Sequence, residues 1–252
     1  MPSNESPLRL VERKSAKELF DECMKLPVVQ EAFNLLDRLP THLKYHTKEH
    51  TFGERGVVAE TILFAHAEGA SEDVIKQQVI AAAWHDVGFL KHVKGEVLDL
   101  EGEAIKLFKG RSAHDRLGEK DSQETISNIK DTTMYFRGKE PYFEMRGSTL
   151  GYMLDADLSN FGRDDFFERM NEIAEETDVD IENLKPREGF KPRTDFYAFV
   201  ITLLENHDWH TEGARKLRKE QKKENLKELR ERYEHDLKLI GLENKNTERR
   251  AA

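Results

Sequence analysis

The chain has a single cysteine, Cys23, so no disulfide can form within it. A lone cysteine of this kind reads as a small apolar core residue and fits a reducing compartment. Long hydrophobic runs are also missing: Val79–Trp84 and Phe196–Leu204 fall well short of the roughly 20 residues a membrane span needs. The opening residues, Met1-Pro2-Ser3-Asn4-Glu5, lack the basic start and apolar run of a signal peptide, which makes a cytoplasmic protein the expectation. There is no excess of positive charge. The formal net charge is -9, which excludes a general nucleic-acid coat but leaves room for a small phosphorylated substrate met by local cations or a metal. Val/Ile/Thr alternation is scarce, so no strands are required. There is no internal repeat and no low-complexity segment.

What is there is helical periodicity. Of the 252 residues 37% are hydrophobic and 35% charged, enough apolar residues for a core beneath a heavily charged surface. Ser15 can cap a helix reaching about Leu26, where Pro27 interrupts. A second helix is expected over Val28–Arg38, and a third over Lys48–Glu68 with Gly69 as its stop. Ser71 opens a helix that becomes apolar nearly all round at Val79–Trp84, as a core helix should, and it ends at His85-Asp86-Val87-Gly88. Further helices are expected over 101–108, 122–134, 149–161, 164–177, 194–206 and 211–240, with a polar connection over 178–191. The organisation this predicts is a loose N-terminus (1–13), a helical metal-binding domain (14–210), and a charged C-terminal helix and tail (211–252) packing on it. The fold class is all-α.

Three separated fragments carry chemistry: Tyr45-His46-Thr47-Lys48-Glu49-His50, His85-Asp86 and Ala156-Asp157-Leu158. His46 and His50 stand four apart, a spacing that puts both rings on one face of a helix. Imidazole nitrogen suits zinc and iron, and carboxylate oxygen suits magnesium, manganese and iron, so a mixed His/Asp set leaves Zn, Mn, Fe and Mg all open. Such an ion lowers the pKa of bound water, supplies hydroxide as nucleophile and neutralises charge on a phosphoryl oxygen. A histidine is then suited to protonate the leaving oxygen. A lone histidine is more often structural than a ligand. A His-Asp pair at the end of an apolar helix is harder to dismiss, because an unpaired buried carboxylate is costly.

These residues resemble the HD superfamily of metal-dependent phosphohydrolases, whose ordered pattern is His, then His-Asp, then Asp. In detail they are similar to its cyclic-nucleotide phosphodiesterase branch, with Tyr45-His46-x-x-x-His50, His85-Asp86 and Ala156-Asp157-Leu158-Ser159-Asn160. The stretch Asn206-His207-Asp208-Trp209-His210-Thr211-Glu212-Gly213-Ala214-Arg215 looks like a bacterial group of HD hydrolases. The likeness spans about 28–228. It implies a helical HD-like fold in which His50, His85, Asp86 and Asp157 ligate a divalent metal and His46 is the proton donor. Asp155 competes for the last ligand place. Two residues away on a helix it points elsewhere, so Asp155, like Tyr45, would support the ligands from behind. Two departures stand out. Thr47 replaces an Asn of the pattern, and Gly118-Glu119-Lys120-Asp121-Ser122 lies where many HD proteins carry a further His, with His92 and His114 as weaker matches. A second metal is therefore not implied.

Arg215, Lys216, Arg218, Lys219, Lys222 and Lys223 form a basic cluster. One reading has Arg215, with His207 or His210, reaching a substrate phosphate; the other is a solvated helix face with Glu/Lys pairs. An apolar seam of Leu226, Leu229, Tyr233, Leu237 and Ile240 can pack on the domain or on a second copy in a homodimer. Arg163 is placed near the site, Asp164 and Asp165 read as a helix cap, and Trp84 and Trp209 as core. The functional expectation is a metal-dependent phosphohydrolase acting on a phosphomonoester or phosphodiester of a nucleotide-like small molecule, with no membrane partner. The alternatives are a nucleotide-sensing or scaffold protein that keeps the metal with little turnover, and a helical interaction protein without metal.

Overall fold

The structure is a computed structural model that describes residues 13–94, 96, 98–111, 115–138, 140–144 and 150–251. Residues 1–12 and His114, part of the sequence reading, lie outside them. The protein is predominantly α-helical. Helix α1 (Ala16–Cys23) opens on a capping box in which Ser15 and Glu18 satisfy each other's backbone N–H groups. Helix α2 (Pro27–Leu36) starts on a proline, whose missing N–H costs nothing there.

The single helix expected over 48–68 is two: α3 (Lys48–Phe52) and α4 (Val57–Ala67). The break is made by Gly53 and Gly56. A Cβ on Gly56 would sit 2.7 Å from the backbone nitrogen of Gly53, so the chain turns where only glycine fits. Helix α5 (Glu72–Trp84) is capped by Ser71 and buries every residue from Gln78 to Trp84. It packs against α2 and α4 and is the centre of the core. A 3-10 turn (His85–Lys91) continues it and lies on α6 (Leu100–Lys109) so closely that a Cβ on Gly88 would strike the Leu100 carbonyl.

Helix α7 (Glu119–Asp131) ends before Met134, and here the sequence expectation fails. Strands β1 (Met134–Arg137) and β2 (Glu140–Phe143) pair as an antiparallel hairpin, with Gly138 after β1 at φ +67°. Four-residue strands carry too little alternation to register as a pattern. Helix α8 (Tyr152–Asp157) and a 3-10 turn (Ser159–Gly162) replace the one helix expected over 149–161. Then come α9 (Phe166–Glu176), a short parallel pair β3 (Val179–Asp180) and β4 (Lys191–Pro192), and α10 (Arg193–Asn206). Asp164 and Asp165 precede α9 without capping it through their side chains. They bind Arg55 and Arg163 instead.

The final helix, α11 (Glu212–Ala251), is fastened to the domain by buried polar contacts. Arg218 grips Glu60 of α4 with both carboxylate oxygens at 2.6 and 2.7 Å, Asn225 donates to the carbonyls of Phe161 and Arg163, and Arg193 holds Asp236. Ala214 and Leu229 are fully buried, so the seam packs on the domain over its first half, whereas Leu237 is exposed. No helix among the described residues is long and apolar enough to cross a membrane.

Candidate metal centre

His50 comes from α3, His85 and Asp86 from the end of α5, and Asp157 from the end of α8. The helices around α4 and α5 bring these ends together. His50 Nε2 lies 3.5 Å from Asp86 Oδ2 and 3.4 Å from Asp157 Oδ1. His85 Nε2 lies 3.2 Å from Asp86 Oδ2 and 3.4 Å from Asp157 Oδ1. Single donor atoms of His50, His85 and Asp157 all fall within 4.8 Å of one another, a group able to hold a metal ion. None of the approaches is a hydrogen bond. His50 Nε2, His85 Nε2 and Asp86 Oδ2 are buried and without a hydrogen-bond partner. Buried polar atoms of this kind are normally satisfied. Ligand atoms about 2.1 Å from a shared ion would stand about 3.0–3.4 Å apart, close to what is seen. The donor set fits a divalent cation.

The surroundings preset the histidines. His85 Nδ1–H donates to the carbonyl of Ala82 at 2.7 Å, which leaves Nε2 with its lone pair toward the cluster. Burial opposes a charge on His85, but Asp86 and Asp157 outweigh it and raise its pKa well above the ordinary value. For Asp86 and Asp157 burial likewise favours the neutral form, yet the facing imidazoles hold both carboxyls below their usual range. The Tyr45 ring lies over His50, with centroids 4.4 Å apart.

His46 is not on the helix with His50. Thr47 is the N-cap of α3, so His46 approaches from the preceding loop, its ring 6.0 Å from that of His50. Its Nδ1 bonds Glu176 Oε1 at 2.5 Å, and Glu176 Oε2 accepts the backbone N–H groups of Lys44, Tyr45 and His46. Burial disfavours the imidazolium, but the bond to Glu176 raises the His46 pKa overall. Burial alone would raise the Glu176 carboxyl. His46 and the three N–H groups bring it down to about 2. Phe89 stacks on the other face of His46, 3.9 Å between centroids at 16°. Glu176 gave no signal in the sequence: it is one of several acidic residues on α9, 130 positions from His46.

His46 and three residues of the cluster, His85, Asp86 and Asp157, line a cavity of about 250 Å³. Most of its wall is apolar and comes from α9, α10, the hairpin and the turn after Asp157. Glu101 at the start of α6 also lines it, and burial pushes its carboxyl up.

Other expected site residues lie elsewhere. Asp155 faces away from the metal ligands. Its Oδ1 accepts from His210 N and Nδ1, and its Oδ2 from Thr211 N and Oγ1, so it fastens the start of α11. His210 is thereby committed to Asp155. His207 is half-buried, packed against Phe161 and Trp209, and desolvation drives its pKa well below the ordinary value. Arg215 donates to the Trp209 carbonyl and to Glu212. None of the three lines the cavity, and their use here is to lock the loop before α11. Arg163 does lie beside the cluster, tied to Asp165 and the Arg55 carbonyl. His92 pairs with His42 at 2.9 Å, Gly118, Glu119 and Lys120 are exposed, and Trp84 and Trp209 are core. No family model matches the chain, and neither a curated protein nor a solved structure matches it.

Proposed function

We propose that the protein is a metal-dependent phosphohydrolase of the HD type, cleaving a phosphomonoester or phosphodiester of a small, nucleotide-like molecule. One observation carries the reading: a four-residue His/Asp cluster with unpartnered buried atoms lines, through His85, Asp86 and Asp157, the same cavity as a histidine held by a carboxylate. A divalent ion in that cluster (Zn, Mn, Fe or Mg) would supply a Lewis acid that polarises a phosphoryl oxygen and lowers the pKa of water.

The residues of the chain divide the remaining work. His50, His85, Asp86 and Asp157 would hold the ion. His46 keeps a proton on Nε2 because Glu176 holds Nδ1–H and favours the charged ring. As the oxygen of hydroxide bonds to phosphorus and the ester P–O bond breaks, that proton passes to the leaving oxygen. Phe89 and the Glu176 bonds fix the ring plane, so the proton is delivered from one direction. The apolar walls keep bulk water from the reacting group.

A second reading, a binding protein that keeps the ion with little turnover, is favoured by the exposed Gly118–Lys120 segment, which adds no ligand to the cluster. The two are separated by assaying Mn²⁺-reconstituted protein on p-nitrophenyl phosphate and bis(p-nitrophenyl) phosphate. Turnover removed by a chelator and restored by Mn²⁺ is expected. No turnover with any of the four ions, or turnover indifferent to chelation, contradicts a metal-dependent hydrolase.

A further inference from the structure

The wall opposite the metal cluster has a chemistry that the ligands do not explain. Beyond His46 the cavity is faced by Met134 and Phe143 of the hairpin, Phe161 after α8, and Phe196, Phe199 and Leu203 of α10. Besides the cluster, Tyr45 and His46, its ionisable group is Glu101, a carboxyl at the start of α6, which packs on the turn that carries Asp86. Among the described residues no lysine or arginine lines it. A wall like this gains from burying apolar surface and penalises any charge it must desolvate. A second phosphate placed there would meet aromatic rings and a carboxylate. The volume, about 250 Å³, exceeds the roughly 150 Å³ of an apolar cavity known to hold benzene. The site is therefore built for a body larger than one ring, anchored at one end.

We propose that the substrate is a phosphomonoester with a single phosphoryl group at the metal cluster and an uncharged, apolar body, an alkyl or aryl group, filling the cavity that the hairpin and α10 line. This rests on the phosphohydrolase reading only in placing the phosphoryl group at the cluster. It replaces the nucleotide-like body of that reading with an apolar one and excludes further phosphates. The hairpin acts as a specificity element, since its Met134 and Phe143 line the cavity beside α10, on which it packs.

The test reads binding, so that it survives a failure of turnover. Methyl-, butyl-, hexyl- and octylphosphonate, whose P–C bond is not hydrolysed, are titrated calorimetrically into Mn²⁺-loaded protein beside 5-phosphonopentanoate, a chain with a terminal carboxylate. Affinity should rise about fourfold per methylene until the cavity is full, and the terminal carboxylate should cost at least tenfold. Phenyl- and naphthylphosphonate distinguish a flat aromatic body from an extended alkyl one. In Phe199→Ala, a partly exposed position, octylphosphonate should bind about tenfold more weakly while methylphosphonate is unchanged. Affinity independent of chain length, or a carboxylate tolerated as well as a methyl end, overturns the proposal. A chain-length series with no hydrolysis of hexyl phosphate would leave the proposal standing as to ligand class and remove the hydrolase reading instead.

Discussion

Asp155 and Asp157 are two residues apart on one short helix, and their surroundings treat them in opposite ways. Asp155 is fully buried and both its oxygens are saturated by donors from His210 and Thr211. Asp157 is 18% exposed and its oxygen faces two imidazole nitrogens that make no hydrogen bond at all. The difference separates a carboxylate that builds from one that waits for a ligand. Saturation by N–H and O–H groups marks a joint in the fold. Unpaired buried nitrogens facing unpaired oxygens mark a place where a cation completes the bonding.

The sharpest break of this comparison is in stability. Asp155→Ala removes the acceptor for the start of α11 and strands buried donors, so it should destabilise by about 3–5 kcal/mol in denaturant unfolding. Asp157→Ala, measured without metal, should cost less, because it strands no hydrogen-bonded donor and loses only the attraction to the two imidazoles. Equal losses would erase the distinction. In catalysis the contrast inverts. His46→Ala should keep the metal and lose about 10²- to 10⁴-fold in kcat on a phosphoester. Glu176→Gln should leave metal content alone and move the basic limb of the pH–rate profile to lower pH, since the carboxylate that raises the His46 pKa is gone.

Glu176 also gives a pH dependence of stability. Its folded carboxyl titrates at about 2 against an ordinary 4.5. The stabilisation is therefore fully present above about pH 4.5 and lost as pH falls toward 2. The loss should be about 3 kcal/mol in wild type and absent from Glu176→Gln, read from urea midpoints across that range. The smallest effect is expected at Thr211→Val, which deletes one bond to Asp155 and the N-cap bond to Ala214. About 1 kcal/mol is expected from unfolding curves, with metal content untouched.

Helix existence was legible because long apolar faces such as Val79–Trp84 are encoded locally. The candidate cluster was legible as motifs because His85-Asp86 and Ala156-Asp157-Leu158 sit at helix ends, where a short string fixes position. Three things were not. The hairpin at 134–143 is too short for alternation to show, and it supplies part of the cavity wall. The break at Gly53–Gly56 depends on a backbone approach that periodicity does not report. Glu176 and the apolar wall depend on long-range packing, which joins residues 130 positions apart. His207, His210 and Arg215 show the reverse error: a His- and Arg-rich string suggested a phosphate site, yet these side chains are spent on Lys222, Asp155 and the Trp209 carbonyl.

The central claim is that the His50, His85, Asp86 and Asp157 cluster holds one divalent cation. Its most direct test is elemental analysis of the purified, reconstituted protein beside Asp86→Ala. The account predicts close to one transition-metal ion per chain in wild type and its loss in a variant that stays helical by circular dichroism. No metal in wild type after reconstitution with any of the four ions, or full occupancy in Asp86→Ala, would contradict it.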